Sequence, residues 1–135
     1  MGTFRVTIEI GDPQGQSYET IEALVDTGAT YTTLPASFLK GLGVIPMTRG
    51  SFTLADGRQT EMELGQTWVR LDGAAFIVPV VFGGETSQPF LGAVTLEIFR
   101  LGVDPVGKRL IPVQGLLMAA TGKSMPITSA LRGQE

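Results

Sequence analysis

An unbroken alternation of polar and apolar residues near the start of the chain most constrains the fold. Over residues 3–10 every second residue is apolar, so one side of an extended strand would face a core and the other would face water. The stretch 11–15 has the glycine, Asp12 and Pro13 of a turn, and Tyr18–Val25 can return beside the first strand. We therefore predict an opening β-hairpin that leads into Asp26.

Short strand-like segments separated by turn residues continue along the chain. Further strands are predicted at 51–54, 59–64, 67–71, 75–82, 101–103 and 108–113, with 116–119 as a candidate extension. A brief helical turn is predicted at 34–41, and 93–99 is the best helix candidate because Leu96 and Phe99 share one face. With 18 glycines and 8 prolines, the chain is typical of a mainly β domain with one short C-terminal helix.

The length of 135 residues fits one domain, which we expect to cover 1–120, with a polar, partly mobile tail at 121–135. The start of the chain lacks the basic and apolar regions of a secretion signal. The longest apolar run, 74–82, has about half the length of a membrane span and reads as a buried strand. A cytoplasmic protein without membrane contact is the expectation.

Composition removes several classes of chemistry. The chain has no cysteine and no histidine, which excludes a thiol nucleophile, a disulfide, an imidazole base and a Cys/His zinc site. We predict no metal and no cofactor. With 10 basic and 13 acidic residues the net charge is -3, so the positive charge that nucleic-acid phosphates require is lacking and no nucleic-acid partner is predicted. Acid–base chemistry falls to carboxylates, lysines or tyrosines.

The hexapeptide Leu24-Val25-Asp26-Thr27-Gly28-Ala29 places a carboxylate where an apolar strand becomes a loop. The Thr27 hydroxyl can lock this loop by hydrogen bonding, and Gly28 lets backbone or substrate approach closely. Hydrolysis of a peptide needs a base to activate water and an acid to protonate the carbonyl oxygen, so one aspartate is not enough. Because the chain has no histidine, a second Asp26 across a two-fold axis is the economical source of the other group.

Three features in this order resemble the retropepsin-like aspartic proteases, the single-domain enzymes that include retroviral proteases and bacterial relatives. The first is the hexapeptide around Asp26. The second is the hairpin signal Asp56-Gly57 about 30 residues later, where the family has its flap. The third is Phe90-Leu91-Gly92, similar to an apolar-apolar-Gly element that packs beneath the active-site loop. The resemblance extends over residues 3–113.

The resemblance implies a closed β fold that dimerises around paired Asp26 carboxylates, with Thr27 interlocking the two loops. It implies an aspartic endopeptidase that acts on peptides or unfolded proteins at acidic to mildly acidic pH. The catalytic residues it assigns are Asp26, Thr27 and Gly28, and the substrate-binding residues are Ala29, Thr30, Ala55, Asp56, Gly57 and Leu91. Either 110–113 or 116–119 could form the dimer interface.

Two departures from the retroviral pattern stand out. Retroviral members have an acidic residue after the Asp-Thr-Gly-Ala stretch, paired with an arginine after the apolar-apolar-Gly element. Here these places hold Thr30 and Ala93, so both partners are missing together and no unpaired charge is left. The flap tip carries Asp56 and Arg58 instead of several glycines, so substrate preference should differ.

Two other readings are compatible with the sequence. The first is a catalytically silent module that keeps the fold for dimerisation or peptide binding. The second is a monomeric β domain in which Asp-Thr-Gly is an ordinary turn, since most Asp-X-Gly tripeptides are turns. Asp12, Asp72 and Asp104 stand next to Gly or Pro and are predicted to be turn residues.

Overall fold

The structure, a computed structural model, describes residues 3–115. The predicted tail at 121–135 and the candidate extension at 116–119 lie outside the described residues. The elements of the described chain are β1 (Arg5–Gly11), β2 (Tyr18–Val25), β3 (Thr32–Pro35), α1 (Ala36–Gly41), β4 (Thr48–Thr53), β5 (Gln59–Leu71), β6 (Ala74–Gly83), β7 (Phe90–Leu91), α2 (Ala93–Ile98), β8 (Leu101–Asp104) and β9 (Arg109–Pro112). The domain is mainly β, as the sequence predicts.

The alternating segment at the start of the chain forms β1, which pairs antiparallel with β2 along its whole length. Ile8 and Ile10 from its apolar side lie in the core. The turn between the strands is held by Asp12, whose Oδ1 accepts the N–H groups of Gln16 at 2.7 Å and Ser17 at 3.1 Å. The N–H groups of Ser17 and then Gln16 lower the pKa of Asp12.

Seven strands form one sheet that closes on itself. Their order is β1-β2-β7-β3-β6-β5-β4, and β1 also pairs with β5 through Glu9 opposite Arg70 and Ile10 opposite Val69. This pairing joins the sheet into a ring, and β4 remains as an outer partner of β5. The predicted closed β fold is therefore confirmed. The interior is filled mainly by aliphatic side chains, among them Ile8, Ile10, Val25, Leu34, Leu39, Val69, Val78, Val80, Leu91 and Leu96.

The segments 59–64 and 67–71, predicted as separate strands, are one strand, the 13-residue β5. Gly65 interrupts the sequence pattern but lies inside this strand, opposite Val80 of β6. A Cβ at Gly65 would stand only 2.9 Å from the carbonyl oxygen of Ile45. Glycine is needed here because another backbone segment approaches closely, and not because the chain turns.

Two short strands were not predicted from the sequence. β3 and β7 have only four and two residues, and neither has a long alternating pattern. β7 lies between β2, to which it is parallel, and β3, to which it is antiparallel, while β3 runs parallel to β6. These pairings bring together segments that are distant in sequence, so they determine which loops meet at the end of β2.

Both helices are short and lie within the predicted segments. Leu39 of α1 and Leu96 of α2 are buried, so each helix packs an apolar side chain against the core. Phe99, directly after α2, contacts Phe76 edge to face with ring centroids 5.0 Å apart. β8 and β9 then pair as a separate two-stranded sheet. Among residues 3–115, neither helix has the length and apolar character needed to cross a membrane.

Candidate active site

Asp26 follows the last residue of β2, and neighbouring backbone fixes this strand end. Val25 lies opposite Leu91 in the parallel β2–β7 pair. The Asp26 N–H donates to the Leu91 carbonyl oxygen at 3.1 Å, and the Val25 N–H donates to the Phe4 carbonyl oxygen at 2.9 Å. Because the Val25 side chain is buried, the point at which Asp26 leaves the sheet is anchored by packing as well as by hydrogen bonds.

The Asp26 carboxylate is oriented by its own loop. Its Oδ1 accepts the Gly28 N–H at 2.9 Å, and the Ala29 N–H donates to the Asp26 backbone carbonyl at 3.1 Å. A Cβ at Gly28 would stand 3.2 Å from Oδ1, a tight approach that favours glycine. Asp26 is partly exposed, while Thr27 and Gly28 are exposed. The loop thus presents a fixed carboxylate at the molecular surface.

The first turn of α2 supports the loop from below. The Ala93 N–H donates to the Ala29 carbonyl at 2.8 Å, and the Val94 N–H donates to the Thr30 carbonyl at 2.9 Å. These N–H groups lack partners within the helix, so the loop satisfies donors that would otherwise be unpaired. Thr30 and Ala93, which stand where retroviral members have an ion pair, therefore both take part in this backbone contact, Thr30 with Val94 and Ala93 with Ala29.

Gly92 lies where this support is tightest. A Cβ on Gly92 would stand 2.6 Å from the carbonyl carbon of Tyr31 and 2.9 Å from the backbone nitrogen of Thr32. No side chain fits at that distance, because real Cβ contacts below 3.0 Å are essentially absent. Glycine in Phe90-Leu91-Gly92 is thus what allows α2 to lie against the loop.

A buried pair of hydroxyls completes the support and was not predicted from the sequence. Thr32 Oγ1 lies 2.7 Å from Thr95 Oγ1 and accepts the Gly92 N–H at 3.1 Å. The pairing of Thr32 with Thr95 could not be predicted from a local sequence pattern. Thr32 sits in a run of hydroxyl residues with no distinguishing pattern, and its partner is 63 residues away.

The hairpin predicted from Asp56-Gly57 is present between β4 and β5. The Leu54 N–H donates to the Arg58 carbonyl at 2.7 Å, and Gly57 adopts a φ of 89°, which favours glycine. Asp56 accepts the Arg58 N–H at 3.0 Å and pairs with its guanidinium Nε at 2.7 Å. The Arg58 N–H and then its side chain lower the pKa of Asp56. The tip therefore carries an internally neutralised pair of charges.

An aromatic contact links this hairpin to the loop that follows Asp26. The rings of Tyr31 and Phe52 meet edge to face, with centroids 6.1 Å apart and an interplanar angle of 86°. Tyr31 follows Thr30, and Phe52 lies on β4. The turn end of β4 is thus held beside the Asp26 loop, while Ala55, Asp56 and Gly57 at the hairpin tip are exposed.

The candidate residues fall into two groups and one exception. Asp26, Thr27, Gly28, Ala29 and Thr30 form one continuous loop, and Ala55, Asp56 and Gly57 form the hairpin tip. The resemblance implies that Leu91 binds substrate, but its side chain is 0% exposed and cannot contact a substrate in the single chain. Leu91 instead positions the site through its backbone carbonyl, which holds the Asp26 N–H.

A surface depression of about 540 Å³ lies away from the Asp26 loop. It is lined by residues such as Thr7, Glu9 and Arg70, and none of its lining residues belongs to that loop. Within residues 3–115 no three acidic side chains cluster as metal ligands would. In the Asp26 loop, the group available for acid–base chemistry is one partly exposed carboxylate.

These features define a class of protein: a closed β domain in which one strand delivers an aspartate to an exposed Asp-Thr-Gly loop braced by a short helix. Residues 6–94 match the family model described as aspartyl protease, which is more than half of the chain. The chain belongs to the aspartyl protease family. No curated protein sequence matches it.

Solved structures show the same fold at low sequence identity. Simian foamy virus (mac) protease is 18% identical with a TM-score of 0.51, over 71% of this chain and 94% of that protein. EIAV protease, solved with the inhibitor HBY-793, is 15% identical with a TM-score of 0.54, over 82% and 93%. A retropepsin-like aspartic protease from Rickettsia conorii is 18% identical with a TM-score of 0.48, over 77% and 89%. The two viral proteases confirm the predicted resemblance for the fold, and the family model confirms it for the aspartyl protease family.

Proposed function

We propose that the protein is an aspartic endopeptidase that acts as a homodimer, with the two Asp26 carboxylates of the dimer forming one catalytic pair. The observation that carries this proposal is the Asp26 loop. It presents a partly exposed carboxylate, oriented by the Gly28 N–H at 2.9 Å, at a strand end held by Leu91. Membership of the aspartyl protease family supports the same chemistry.

The need for a dimer follows from proton bookkeeping. A single carboxylate cannot be the base that activates water and also the acid that protonates the scissile carbonyl. The chain has no histidine to supply the second group. A two-fold axis beside the exposed Thr27 and Gly28 would bring a second Asp26 to the site without any further residue.

The reaction proceeds through non-covalent acid–base steps. Two carboxylates a few ångströms apart do not both ionise readily, so the pair shares one proton. The ionised Asp26 takes a proton from water while the water oxygen attacks the carbonyl carbon. The protonated Asp26 of the pair donates its proton to the carbonyl oxygen. When the resulting diol collapses, one diol hydroxyl gives its proton to the ionised Asp26, the C–N bond breaks, and the amine nitrogen receives the proton of the other Asp26, so the pair again holds one proton. Activity should be highest at acidic to mildly acidic pH.

The remaining residues divide the work of binding an extended peptide or unfolded protein. Thr27 interlocks the two loops across the axis, as the family resemblance implies, and Ala29 and Thr30 contact the substrate backbone. The hairpin tip at Ala55, Asp56 and Gly57 covers the substrate from the opposite side. Its exposed position and its attachment beside the loop through Tyr31 and Phe52 support this assignment.

Replacing Asp26 with Asn tests the catalytic assignment. The amide keeps the shape and can still accept the Gly28 N–H, but it cannot act as a base, so cleavage of an unfolded protein should fall at least about 100-fold. Asp72→Asn is the matched control, since it makes the same chemical change at an exposed turn residue with a φ of 53°. If Asp26→Asn cleaved the substrate at the wild-type rate, the proposal that Asp26 catalyses proteolysis would be excluded.

Mixing the wild type with Asp26→Asn tests the shared pair. If one site needs both copies of Asp26, activity at fixed total protein falls as the square of the wild-type fraction after subunits exchange. A linear fall would mean that each chain holds a complete site. Sedimentation of the wild type as a monomer at micromolar concentration would also contradict the dimer, while a dimer without cleavage between pH 3 and 7 would identify a silent binding module.

A further inference from the structure

The buried threonines beneath the Asp26 loop are not explained by the general chemistry of the site. Thr32 and Thr95 are both 0% exposed, and their hydroxyl oxygens are 2.7 Å apart. A buried hydroxyl is unfavourable unless it is hydrogen-bonded, and a valine of nearly the same shape would fill the space without that requirement. The hydroxyls therefore call for a reason beyond packing.

The reason lies in one peptide unit. The carbonyl of Leu91 and the N–H of Gly92 belong to the same planar peptide group. The carbonyl end accepts the Asp26 N–H at 3.1 Å, and the N–H end donates to Thr32 Oγ1 at 3.1 Å. The plane that holds the Asp26 backbone is thus oriented by the Thr32 hydroxyl.

The hydroxyls of Thr32 and Thr95 and the Gly92 N–H can form one hydrogen-bonded network. Thr32 can accept the Gly92 N–H with one lone pair and donate its own proton to Thr95 Oγ1. Thr95 lies on α2, whose first turn donates N–H groups to the carbonyls of Ala29 and Thr30. The network therefore ties α2, the Leu91–Gly92 peptide and the loop into one unit.

We propose that Thr32 and Thr95 are positioning residues that set the location of Asp26 and hence the separation of the two carboxylates in the dimer. This inference rests on the proposed function. In a two-fold symmetric dimer, a displacement of Asp26 in one chain is accompanied by the symmetry-related displacement in the other. The distance between the two carboxylates can therefore change by up to twice the displacement. A small tilt of the supporting peptide is thereby amplified at the catalytic pair.

The test compares three single variants. Thr32→Val removes the acceptor of the Gly92 N–H with little change in shape, and Thr32→Ser restores the hydroxyl. Thr67→Val is the matched control, because Thr67 is 1% exposed and donates its hydroxyl to the Gly11 carbonyl, on a part of the sheet that does not touch the Asp26 loop.

In the activity assay, Thr32→Val should lower kcat by about 10- to 100-fold with little change in KM, since positioning acts on the chemical step. Its pH–rate profile should change in width, because a changed separation alters the repulsion between the two carboxylates. Thr32→Ser should regain most of kcat. Thr67→Val should leave kcat and the profile unchanged, and equal effects of Thr32→Val and Thr67→Val would overturn the proposal.

Amide hydrogen exchange provides a readout that does not depend on catalysis. Thr32→Val should accelerate exchange at Gly92 and Asp26 by about tenfold or more relative to the wild type, because the Gly92 N–H loses its buried acceptor. Thr67→Val should not change these two amides selectively. If the wild type never cleaves a substrate, the protease proposal fails while this measurement still decides the positioning role; unchanged exchange at both amides would overturn it.

If Thr32→Val does not fold, Thr95→Val replaces it in both assays. This variant keeps the bond between Gly92 and Thr32 but removes the partner of the Thr32 hydroxyl. We expect a smaller loss of kcat, about three- to tenfold, together with faster exchange at Gly92. Wild-type values for both quantities would contradict the proposed network.

Discussion

Among the glycines of the described chain, Gly92 has the shortest distance between an added Cβ and a neighbouring atom. In Gly92→Ala the new Cβ would meet the Tyr31 carbonyl carbon at 2.6 Å, so the loop or α2 must move. Both belong to closely packed backbone, and we expect a loss of about 3 kcal/mol in the free energy of unfolding. Urea denaturation of the wild type and the variant measures this loss.

Gly41→Ala is the control for this prediction. Gly41 ends α1, and nothing lies within 4 Å of a Cβ placed there. The free energy of unfolding should change by less than about 1 kcal/mol, in the direction of helix propensity. If Gly92→Ala were as mild as Gly41→Ala, the tight contact between α2 and the loop would not exist in solution.

At the level of single residues, the sequence predicted what is local to the Asp26 motif. The end of the strand at Val25 and the loop that begins at Asp26 both follow from an apolar strand that meets turn chemistry. It did not predict the hydrogen bond between the Asp26 N–H and the Leu91 carbonyl, or the role of Thr32. Those depend on atomic contacts between segments about 60 residues apart in sequence.

The β4–β5 hairpin is the element whose effect should be most separable from the rest of the fold. Gly57 has a φ of 89° and no atom within 4 Å of a Cβ, so Gly57→Ala introduces backbone strain without a clash. We expect a local destabilisation of about 1–2 kcal/mol. Exchange at the Leu54 and Gly57 amides, which close the turn, should accelerate while the core amides change little.

Gly73→Ala is a matched control, because Gly73 has a φ of 81° and equally open space in the β5–β6 turn. It should leave the amides of the β4–β5 turn unchanged. If the hairpin covers the substrate as proposed, Gly57→Ala should raise KM, whereas Gly73→Ala should not. The same KM in both variants would argue against that role for the hairpin.

Elements were predicted well where their signal is local. β1, β2, α2 and the Asp-Gly turns follow from periodicity and turn residues. β5 was predicted as two strands, 59–64 and 67–71, whereas Gly65 lies inside one strand and marks a close approach of the Ile45 backbone. β3 and β7 were missed because two to four residues carry too little periodicity, and only their partners in the sheet make them strands.

For the whole molecule, charge and pH determine the range in which the fold is most stable. The pKa values of four carboxylates are lowered mainly by hydrogen bonds from nearby groups: Asp12 by Ser17 and Gln16, Asp56 by Arg58, Glu85 by Ser37, and Asp104 by Gly107 and Val106. Since each folded-state pKa lies below its ordinary value of 3.8 for Asp or 4.5 for Glu, their stabilising contribution is present above those values. It is lost as the pH falls through the lowered values.

We therefore expect the free energy of unfolding to be nearly constant between pH 7 and 5 and to decrease below about pH 4.5. Urea denaturation at pH 7, 5, 4 and 3 measures this change. Asp12→Asn should make the decrease smaller, because Asn cannot gain a proton. A free energy of unfolding that rises on acidification would show that these hydrogen bonds do not form in solution. If activity is highest at acidic pH, the enzyme would work close to the pH at which the fold begins to lose stability.

The sequence by itself determined the mainly β character, the opening hairpin, the position of Asp26 at a strand end and the need for a second carboxylate. Each follows from local periodicity, turn chemistry or the absence of histidine. The resemblance implied that Phe90-Leu91-Gly92 packs beneath the loop, but only the tertiary structure decided which atoms hold Asp26. The Leu91–Gly92 peptide, Thr32 and Thr95 meet because ring closure brings β7 between β2 and β3, and no local pattern encodes a contact that the closed sheet creates.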